Sequence, residues 1–356
     1  MPQKIIVSVS NDLVSDQRVH KVCSTLMEMG FKILLLGRKF HTNEELQRPY
    51  ETHRFSLLFN KGPLFYAEFN IRLFCFLLIH KKCILLSNDL DTLLPNFLIS
   101  KLKGNDLIYD SHELFPEVPE LQNRPFVKKL WELIERLILP KIKHAYTVCR
   151  SIADHYRKQY GLQMQVIRNV PFRKAKGELP KRTKTLIYQG GLNPGRGLEL
   201  AIDALKYLKD YTLMIVGEGE TMEDLKQLAA ECRVADRVDF VGRVPYEQLS
   251  KYTAKASVGL LLEEPVGLSF QYALPNKLFD YIHADLPFIA SDLIEVRNIV
   301  HKFGVGQILK DRTPKALAKQ IESLPPFDKN CYDQAKTELC WQKEQYVLKE
   351  VIDSLL

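Results

Sequence analysis

The fold of this chain is most constrained by a regular alternation of short apolar runs with helical patterns along almost its whole length. Residues 4–10, 83–87 and 185–189 are apolar runs, and residues 14–29 carry apolar side chains at helical spacing before Gly30. Strands that alternate with helices favour parallel sheets whose faces are covered by those helices. A length of 356 residues suits two domains at roughly 150 residues each. The sequence therefore predicts two consecutive doubly wound α/β domains.

The domain boundary is predicted at a polar stretch, residues 171–184, which is rich in lysine and proline and is typical of a linker. We therefore expect an N-terminal domain over residues 1–170 and a second domain over residues 171–330. Residues 331–356 form a long helical pattern with no strand after it. That segment is expected to pack back on the first domain.

Composition indicates an ordinary globular protein, with 46% hydrophobic and 26% charged residues. Seven cysteines are scattered singly, without CxxC or metal-ligand spacing, which predicts reduced thiols, a cytoplasmic location and no metal site. No run reaches the ~18 uninterrupted apolar residues of a membrane-spanning helix. The first ten residues have too short an apolar run for a signal peptide and are expected to form a strand.

The net charge is +7, and the basic residues cluster between Lys61 and Lys143. Aromatic residues lie among them: Phe59, Phe65, Tyr66, Phe69, Phe74 and Phe76. If exposed, such a basic, aromatic face suits peripheral contact with an anionic membrane, here the inner face of the plasma membrane. The alternative is a solvated surface. No zinc-finger or RNA-binding signature is present, so nucleic acid is not an expected partner.

A glycine-rich loop follows the apolar run at residues 185–189 and contains Gly190, Gly191 and Arg196. Such a loop lets backbone N–H groups approach phosphate, and an arginine adds a charge-assisted hydrogen bond. The alternative is a tight turn with a surface arginine. A second turn, VGEGE, places Gly217 at the carboxyl edge of the same sheet, where open α/β folds bind ligands. Neither loop reads GxGxxG, so a dinucleotide fingerprint is absent.

Residues 274–291, LPNKLFDYIHADLPFIAS, place Lys277 and Asp280 in the first turn of a predicted helix that Pro275 and Asn276 open. A helix N-terminus and a lysine attract phosphate, while Asp280 can accept from ribose hydroxyls. The alternative is a solvated ion pair between positions i and i+3.

Just upstream, the segment EEPVGL offers backbone N–H groups at Gly267 and Leu268. Either Glu263 or Glu264 could accept hydrogen bonds from sugar hydroxyls.

The order GGLNPGRG, VGEGE, VDFVGRVPYEQLSKYTAKASVGLLL and EPVGL…PNKLFDYIHADLPFIAS resembles the donor-binding domain of GT-B fold glycosyltransferases, most closely retaining family 4, the group 1 family. The resemblance covers the second half of the chain. It implies two Rossmann-like domains facing a cleft, with a C-terminal helix crossing back to the first. It also implies sugar transfer with retention from a UDP- or GDP-sugar to a glycan or lipid-linked acceptor, without a metal or other cofactor.

The resemblance assigns roles by position. Arg196 stands where the family holds the diphosphate, and Asp280 stands at the second Glu of the E-x7-E motif, which holds ribose. Glu264 stands at the first Glu, near the donor sugar, and is expected to be catalytic. The two acids are separated by 15 residues here rather than seven. Gly191 replaces the usual arginine of the glycine loop, and we expect Lys277 to supply that charge.

The first half resembles the same family less strongly. In YDSHELFPE, His112 follows a predicted strand, and similar enzymes carry a histidine there that contacts the donor sugar. We expect a neutral, catalytic His112; the alternative is a helix-capping turn. The residues expected to contact the acceptor are Asp16, Arg18, Asn88, Asp89 and Glu113.

The sequence thus predicts a glycosyltransferase of polysaccharide or lipopolysaccharide synthesis. Two alternatives stay open: a sugar-nucleotide epimerase of the same fold, and a non-catalytic protein that binds a nucleotide sugar or a partner enzyme. The altered acid spacing motivates the second alternative. A dehydrogenase is disfavoured because the GxGxxG pattern is missing.

Overall fold

The computed structural model describes residues 3–14, 16–39, 46–122, 124–173 and 182–355. The chain divides into two compact units. Unit 1 comprises Met1–Asn169 with Glu344–Leu356, and unit 2 comprises Val170–Lys343. Most of the predicted linker, residues 174–181, lies outside the described residues.

Unit 1 contains a seven-stranded, wholly parallel sheet in the order β3-β2-β1-β4-β5-β6-β7. Its strands are β1 (Lys4–Asp12), β2 (Lys32–Arg38), β3 (Glu51–Phe55), β4 (Ile84–Asn88), β5 (Leu107–Ser111), β6 (His144–Thr147) and β7 (Gln165–Val166). The helices are α1 (Gln17–Glu28), α2 (Gly62–Ile79), α3 (Leu90–Lys103), α4 (Pro119–Gln122), α5 (Pro125–Ile138) and α6 (Arg150–Tyr160). Every residue of β4 and β5 is buried, as expected of central strands covered on both faces.

Unit 2 contains a six-stranded parallel sheet in the order β10-β9-β8-β11-β12-β13. Its strands are β8 (Thr185–Gln189), β9 (Thr212–Val216), β10 (Val238–Gly242), β11 (Val258–Leu261), β12 (Phe288–Ala290) and β13 (Gln307–Ile308). Its helices are α7 (Leu198–Ala204), α8 (Met222–Glu231), α9 (Tyr246–Thr253), α10 (Gly267–Gln271), α11 (Asn276–His283), α12 (Ile294–Phe303), α13 (Pro314–Glu322) and α14 (Lys329–Glu338). The prediction of two doubly wound parallel α/β folds is confirmed.

The predicted C-terminal helix is two helices, because the chain leaves helical geometry at Leu339. After α14, the last helix α15 (Trp341–Asp353) begins in unit 2 and continues into unit 1. There the Glu344 carboxylate accepts a hydrogen bond of 2.8 Å from the backbone N–H of Arg168. Leu348 and Ile352 are fully buried. The last helix is thus part of the core of unit 1.

Helix α2 is, among the described residues, long and apolar enough by length and composition to cross a membrane, with a mean hydropathy of 1.4. The sequence predicts no such helix here, because Glu68 and Arg72 interrupt the apolar run. In the fold, α2 connects β3 to β4, and Phe65, Phe69 and Leu73 are buried. It is therefore a crossover helix of the sheet.

Candidate functional site

Three loops meet at the carboxyl edge of the second sheet, because β8, β9 and β11 all end there. The backbone N–H of Gly190 donates to the carbonyl of Val216 at 3.0 Å, which ties the β8 loop to β9. The N–H of Glu264 donates to the carbonyl of Gly195 at 2.8 Å, which ties the β11 loop to the β8 loop. These bonds fix the backbone around the predicted donor residues.

Close backbone packing explains two of the glycines. Gly217 has φ +152°, and a Cβ there would lie 1.8 Å from the carbonyl oxygen of Gly190. A Cβ on Gly197 would lie 2.2 Å from the carbonyl oxygen of Leu262. Gly191 is different, since nothing approaches its Cβ position closer than 3.8 Å. Gly217 therefore serves loop packing in addition to any contact with a ligand.

Lys277 projects from the first turn of α11 beneath the glycine loop and is buried. Its Nζ lies 2.6 Å from Glu263 Oε1 and 3.8 Å from the centre of the Tyr188 ring. The same Nζ lies 3.6 Å from the position that a Cβ on Gly190 would take. The ion pair is therefore with Glu263 of the β11 loop and is not a solvated pair with Asp280.

Asp280 is oriented by a chain of hydrogen bonds that the sequence analysis missed. Gln189 Nε2 donates to Asp280 Oδ2 at 2.8 Å, and the Thr253 hydroxyl donates to Gln189 Oε1 at 2.8 Å. Gln189 and Thr253 are buried. One sequence signal for this chain of hydrogen bonds was available: Gln189 ends an otherwise apolar strand. A buried amide needs hydrogen-bond partners, so a polar neighbour was to be expected there.

Two polar atoms in these loops are buried without a hydrogen-bond partner among the described residues: Arg196 Nε and Glu263 Oε2. The Arg196 guanidinium lies 4.9 Å from the centre of the Phe270 ring. Buried polar groups are normally paired, so this donor and this acceptor have hydrogen-bonding capacity that a ligand at the sheet edge could use. That ligand would carry anionic oxygens for the arginine and hydroxyl groups for the carboxylate.

Glu264, predicted as catalytic, has a side chain that is 47% exposed and lies 3.8 Å from Arg312. Its neighbour Glu263 is 1% exposed and pairs with Lys277. Glu263 is thus buried within the loop cluster, whereas Glu264 lies at its accessible surface and stays the acid predicted near the donor sugar. Gly267, with φ +75°, and Leu268 begin the short helix α10 in the same loop. We call Gly190, Arg196, Glu263, Lys277 and Asp280 the candidate donor site.

His112, after β5 in unit 1, lies between two carboxylates. Its Nδ1 is 3.0 Å from Asp89 Oδ2, and its Nε2 is 3.0 Å from Asp110 Oδ2. Burial opposes the charged ring, but Asp89 and Asp110 outweigh it and raise the pKa of His112 well above its ordinary value. The two carboxylates therefore favour a protonated, positively charged ring, whereas the sequence led us to expect a neutral His112.

Arg18, predicted to contact the acceptor, is 3% exposed, and all three of its guanidinium nitrogens donate hydrogen bonds within the protein. Its Nε and Nη2 donate to the two Asp110 oxygens at 3.1 and 2.7 Å, and its Nη1 donates to the Ile167 carbonyl at 2.7 Å. Burial favours a neutral Asp110, but Arg18 and His112 outweigh it and lower the pKa of Asp110 to about 2. Arg18 therefore positions Asp110, and through it His112, from within the core.

The other predicted acceptor residues differ in accessibility. Asn88 is buried and donates to the Ser8 carbonyl at 3.0 Å, so it joins β4 to β1. Asp16 caps α1 by accepting from the Val19 N–H at 3.0 Å. Asp89, with φ +58°, also accepts from the backbone N–H of His112 at 2.8 Å. Glu113 is exposed.

Asp91, in the first turn of α3, follows the same strand as Asn88 and Asp89 and is, like them, a candidate for contact with the acceptor or for capping the helix. Its Oδ2 accepts a hydrogen bond from the Ser10 hydroxyl, and its Oδ1 is buried without a partner among the described residues. Burial, with a smaller contribution from Asp89, raises the pKa of Asp91 to about 7. All seven cysteines are free thiols. Within the described ranges, no group of three or more potential metal ligands is present.

Residues 169–335 match the model of the family described as "Glycosyl transferases group 1". A GDP-mannose-dependent α-(1-6)-phosphatidylinositol monomannoside mannosyltransferase of Mycobacterium tuberculosis is 34% identical over 93 residues, covering 24% of each chain. The amylovoran biosynthesis glycosyltransferase AmsK of Erwinia amylovora is 25% identical over 131 residues, covering 36% of this chain and 32% of AmsK. The match thus spans about a quarter to a third of the length of these curated relatives.

Solved structures match over the whole chain and show the fold. Sucrose-phosphate synthase from Thermosynechococcus elongatus superposes with a TM-score of 0.80 at 16% identity, covering 99% of both chains. HepE from Anabaena, in complex with UDP and glucose, gives a TM-score of 0.77 at 13% identity, covering 99% of this chain and 100% of HepE. Residues 169–335, which contain the whole candidate donor site, therefore match the group 1 glycosyltransferase family, within a chain that has the two-domain GT-B fold.

Proposed function

We propose that this protein is a glycosyltransferase that binds a nucleoside-diphosphate sugar at the candidate donor site and transfers the sugar to a glycan or lipid-linked acceptor. The observation that carries the proposal is the pair of orphaned polar atoms, Arg196 Nε and Glu263 Oε2, in loops of the family-matched unit. A diphosphate would satisfy the arginine, and sugar hydroxyls would satisfy the carboxylate.

The chemistry follows from where charge develops. Breaking the bond between sugar and phosphate leaves negative charge on the diphosphate and positive charge on the anomeric carbon. Arg196 and Lys277 would stabilise the leaving group, each contributing roughly 2–4 kcal/mol. Asp280, oriented by Gln189, would accept from ribose hydroxyls. Retention at the anomeric carbon and transfer without a metal remain part of this proposal, as the resemblance implies.

The acceptor class and location are proposed from the relatives and from composition. One curated relative is named for a phosphatidylinositol mannoside and another for amylovoran biosynthesis. These names support a lipid-linked or polysaccharide acceptor. The free thiols support a cytoplasmic location, and the basic residues between Lys61 and Lys143 support peripheral contact with the inner face of the plasma membrane.

The test is calorimetric titration with UDP, GDP and NAD. We expect binding of UDP or GDP and none of NAD. R196A and D280A should each weaken nucleotide binding about 10- to 100-fold, since each removes a charged hydrogen-bond partner. K302A is the matched control, because Lys302 is an exposed lysine paired with Glu338 at the end of α12.

Unchanged affinity in both R196A and D280A would overturn the site assignment. NAD binding would overturn the functional proposal. Product analysis with a UDP- or GDP-sugar and no acceptor separates transfer from epimerisation, because only an epimerase converts the sugar nucleotide into its stereoisomer.

A further inference from the structure

Three helices of unit 1 lie side by side on the first sheet: α3 contacts α2 on one side and α5 on the other. Each buries one face, and each leaves apolar side chains exposed on another. A contiguous exposed apolar surface on a soluble domain is uncommon and marks an interaction site.

The exposed apolar residues of α3 and α5 recur at helical spacing. On α3 they are Leu94, Leu98 and Leu102, at intervals of four residues. On α5, Phe126 and Leu130 are also four apart, and Phe126 is 82% exposed. Residues three or four apart share one helix face, so each helix presents a continuous stripe.

Helix α2 presents a third stripe, in which Leu64, Ile71 and Leu78 are exposed at intervals of seven residues. Of the aromatic residues that the sequence predicts on this surface, Phe65 and Phe69 are buried in the core. The stripe is thus aliphatic. Because α2 is the crossover between β3 and β4, it cannot leave the sheet to span a bilayer without dismantling unit 1.

The segments that carry these stripes are rich in cationic residues. Residues 61–82, 90–103 and 124–143 contain twelve Lys and Arg against four Asp and Glu, a larger excess than the net +7 of the whole chain. Two of the acids, Asp91 and Glu135, are buried. Lys101 and Lys141 both lie within 6 Å of the Phe97 ring, at 5.3 and 5.9 Å from its centre, so α3 and the segment after α5 bring their charges together.

We propose that the surface formed by α2, α3 and α5 docks on an anionic lipid bilayer, with its leucines in the headgroup region and its lysines on lipid phosphates. Exposed apolar stripes on helices rich in cationic side chains are the pattern of a helix lying in a membrane interface. The excess of cations favours this occupant over a second copy of the chain, whose identical surface would repel it. Docking would hold unit 1 beside a lipid-linked acceptor, and it is independent of the donor site.

The test is flotation of the full-length protein with vesicles of phosphatidylcholine alone or mixed with phosphatidylglycerol. We expect binding only to the anionic vesicles and release at high salt. The triple variant L98Q/L102Q/L130Q should bind at least about tenfold more weakly, and K101Q/K141Q should lose about fivefold per lysine. The double variant Y207S/K209Q is the control, because it changes an exposed aromatic and an exposed lysine in unit 2.

Circular dichroism and nucleotide titration check that each variant is folded. Failure of wild type to bind anionic vesicles overturns the proposal, as does equal binding by the triple variant. Self-association that the triple variant abolishes, without vesicle binding, would assign the surface to a dimer instead. Nucleotide binding is measured separately, so failure of docking is distinguishable from failure of the proposed transferase function.

Discussion

Arg18, Asp110 and His112 show how burial changes the role of a polar residue. The sequence places Arg18 and His112 near the carboxyl ends of β1 and β5, which predicted contact with substrate, and it assigned Asp110 no role. In the fold, Asp110 is fully buried and joins two cations, so its carboxylate is an internal counter-ion. A buried charge of this kind is stable only while its partners remain.

Asp91 gives a residue-scale prediction about pH. Burial raises its pKa to about 7, so the folded state keeps a proton that the unfolded chain releases near pH 4. The protonated Asp91 therefore leaves the free energy of unfolding at its full value at low pH. As the pH rises from 4 towards 7, that free energy falls by roughly 3–4 kcal/mol. D91N removes the ionisable group and should be more stable than wild type above pH 7.

Urea unfolding of D91N and wild type across this range measures the effect. The difference in the free energy of unfolding between D91N and wild type should grow from pH 4 to pH 8. A difference that stays constant with pH would show that Asp91 is ionised in the folded protein throughout.

The loops after β8, β9 and β11 act as one element, because they are joined by backbone hydrogen bonds and by glycines. G217A should cost about 3 kcal/mol or more of stability and weaken nucleotide binding, since its Cβ would overlap the Gly190 carbonyl. G191A is the matched control; its Cβ would make only ordinary contacts with the Asn193 side chain, so stability should change by about 1 kcal/mol or less.

Denaturant unfolding and UDP or GDP titration of both variants measure these effects. If G217A has the same free energy of unfolding and the same nucleotide affinity as G191A, then close packing of the loops does not determine the geometry of the donor site.

The division of α15 between the two units gives a prediction for the whole molecule. Ending the chain after residue 343 removes Leu348, Val351 and Ile352 from the core of unit 1, at about 1.5–3 kcal/mol each. It also removes the Glu344 carboxylate from the Arg168 N–H. Unit 1 should lose stability, while nucleotide affinity of unit 2 stays unchanged.

The control is a chain that ends after residue 353, which keeps the buried residues of α15. Thermal unfolding followed by limited proteolysis identifies which unit opens first. If the shorter chain leaves unit 1 as stable as the control does, then α15 is dispensable for that core.

The periodicity of the sequence determined the fold class, because strand and helix spacing are local properties of the chain. It also located Arg196, Lys277 and Asp280 on one sheet edge, since parallel strands end together. Local pattern could not show which side chains become buried. The Glu263–Lys277 ion pair, the two carboxylates around His112 and the Gln189–Asp280 hydrogen bond all depend on residues distant in sequence. Only the tertiary structure decided these, because burial and electrostatic partners are set by packing between elements.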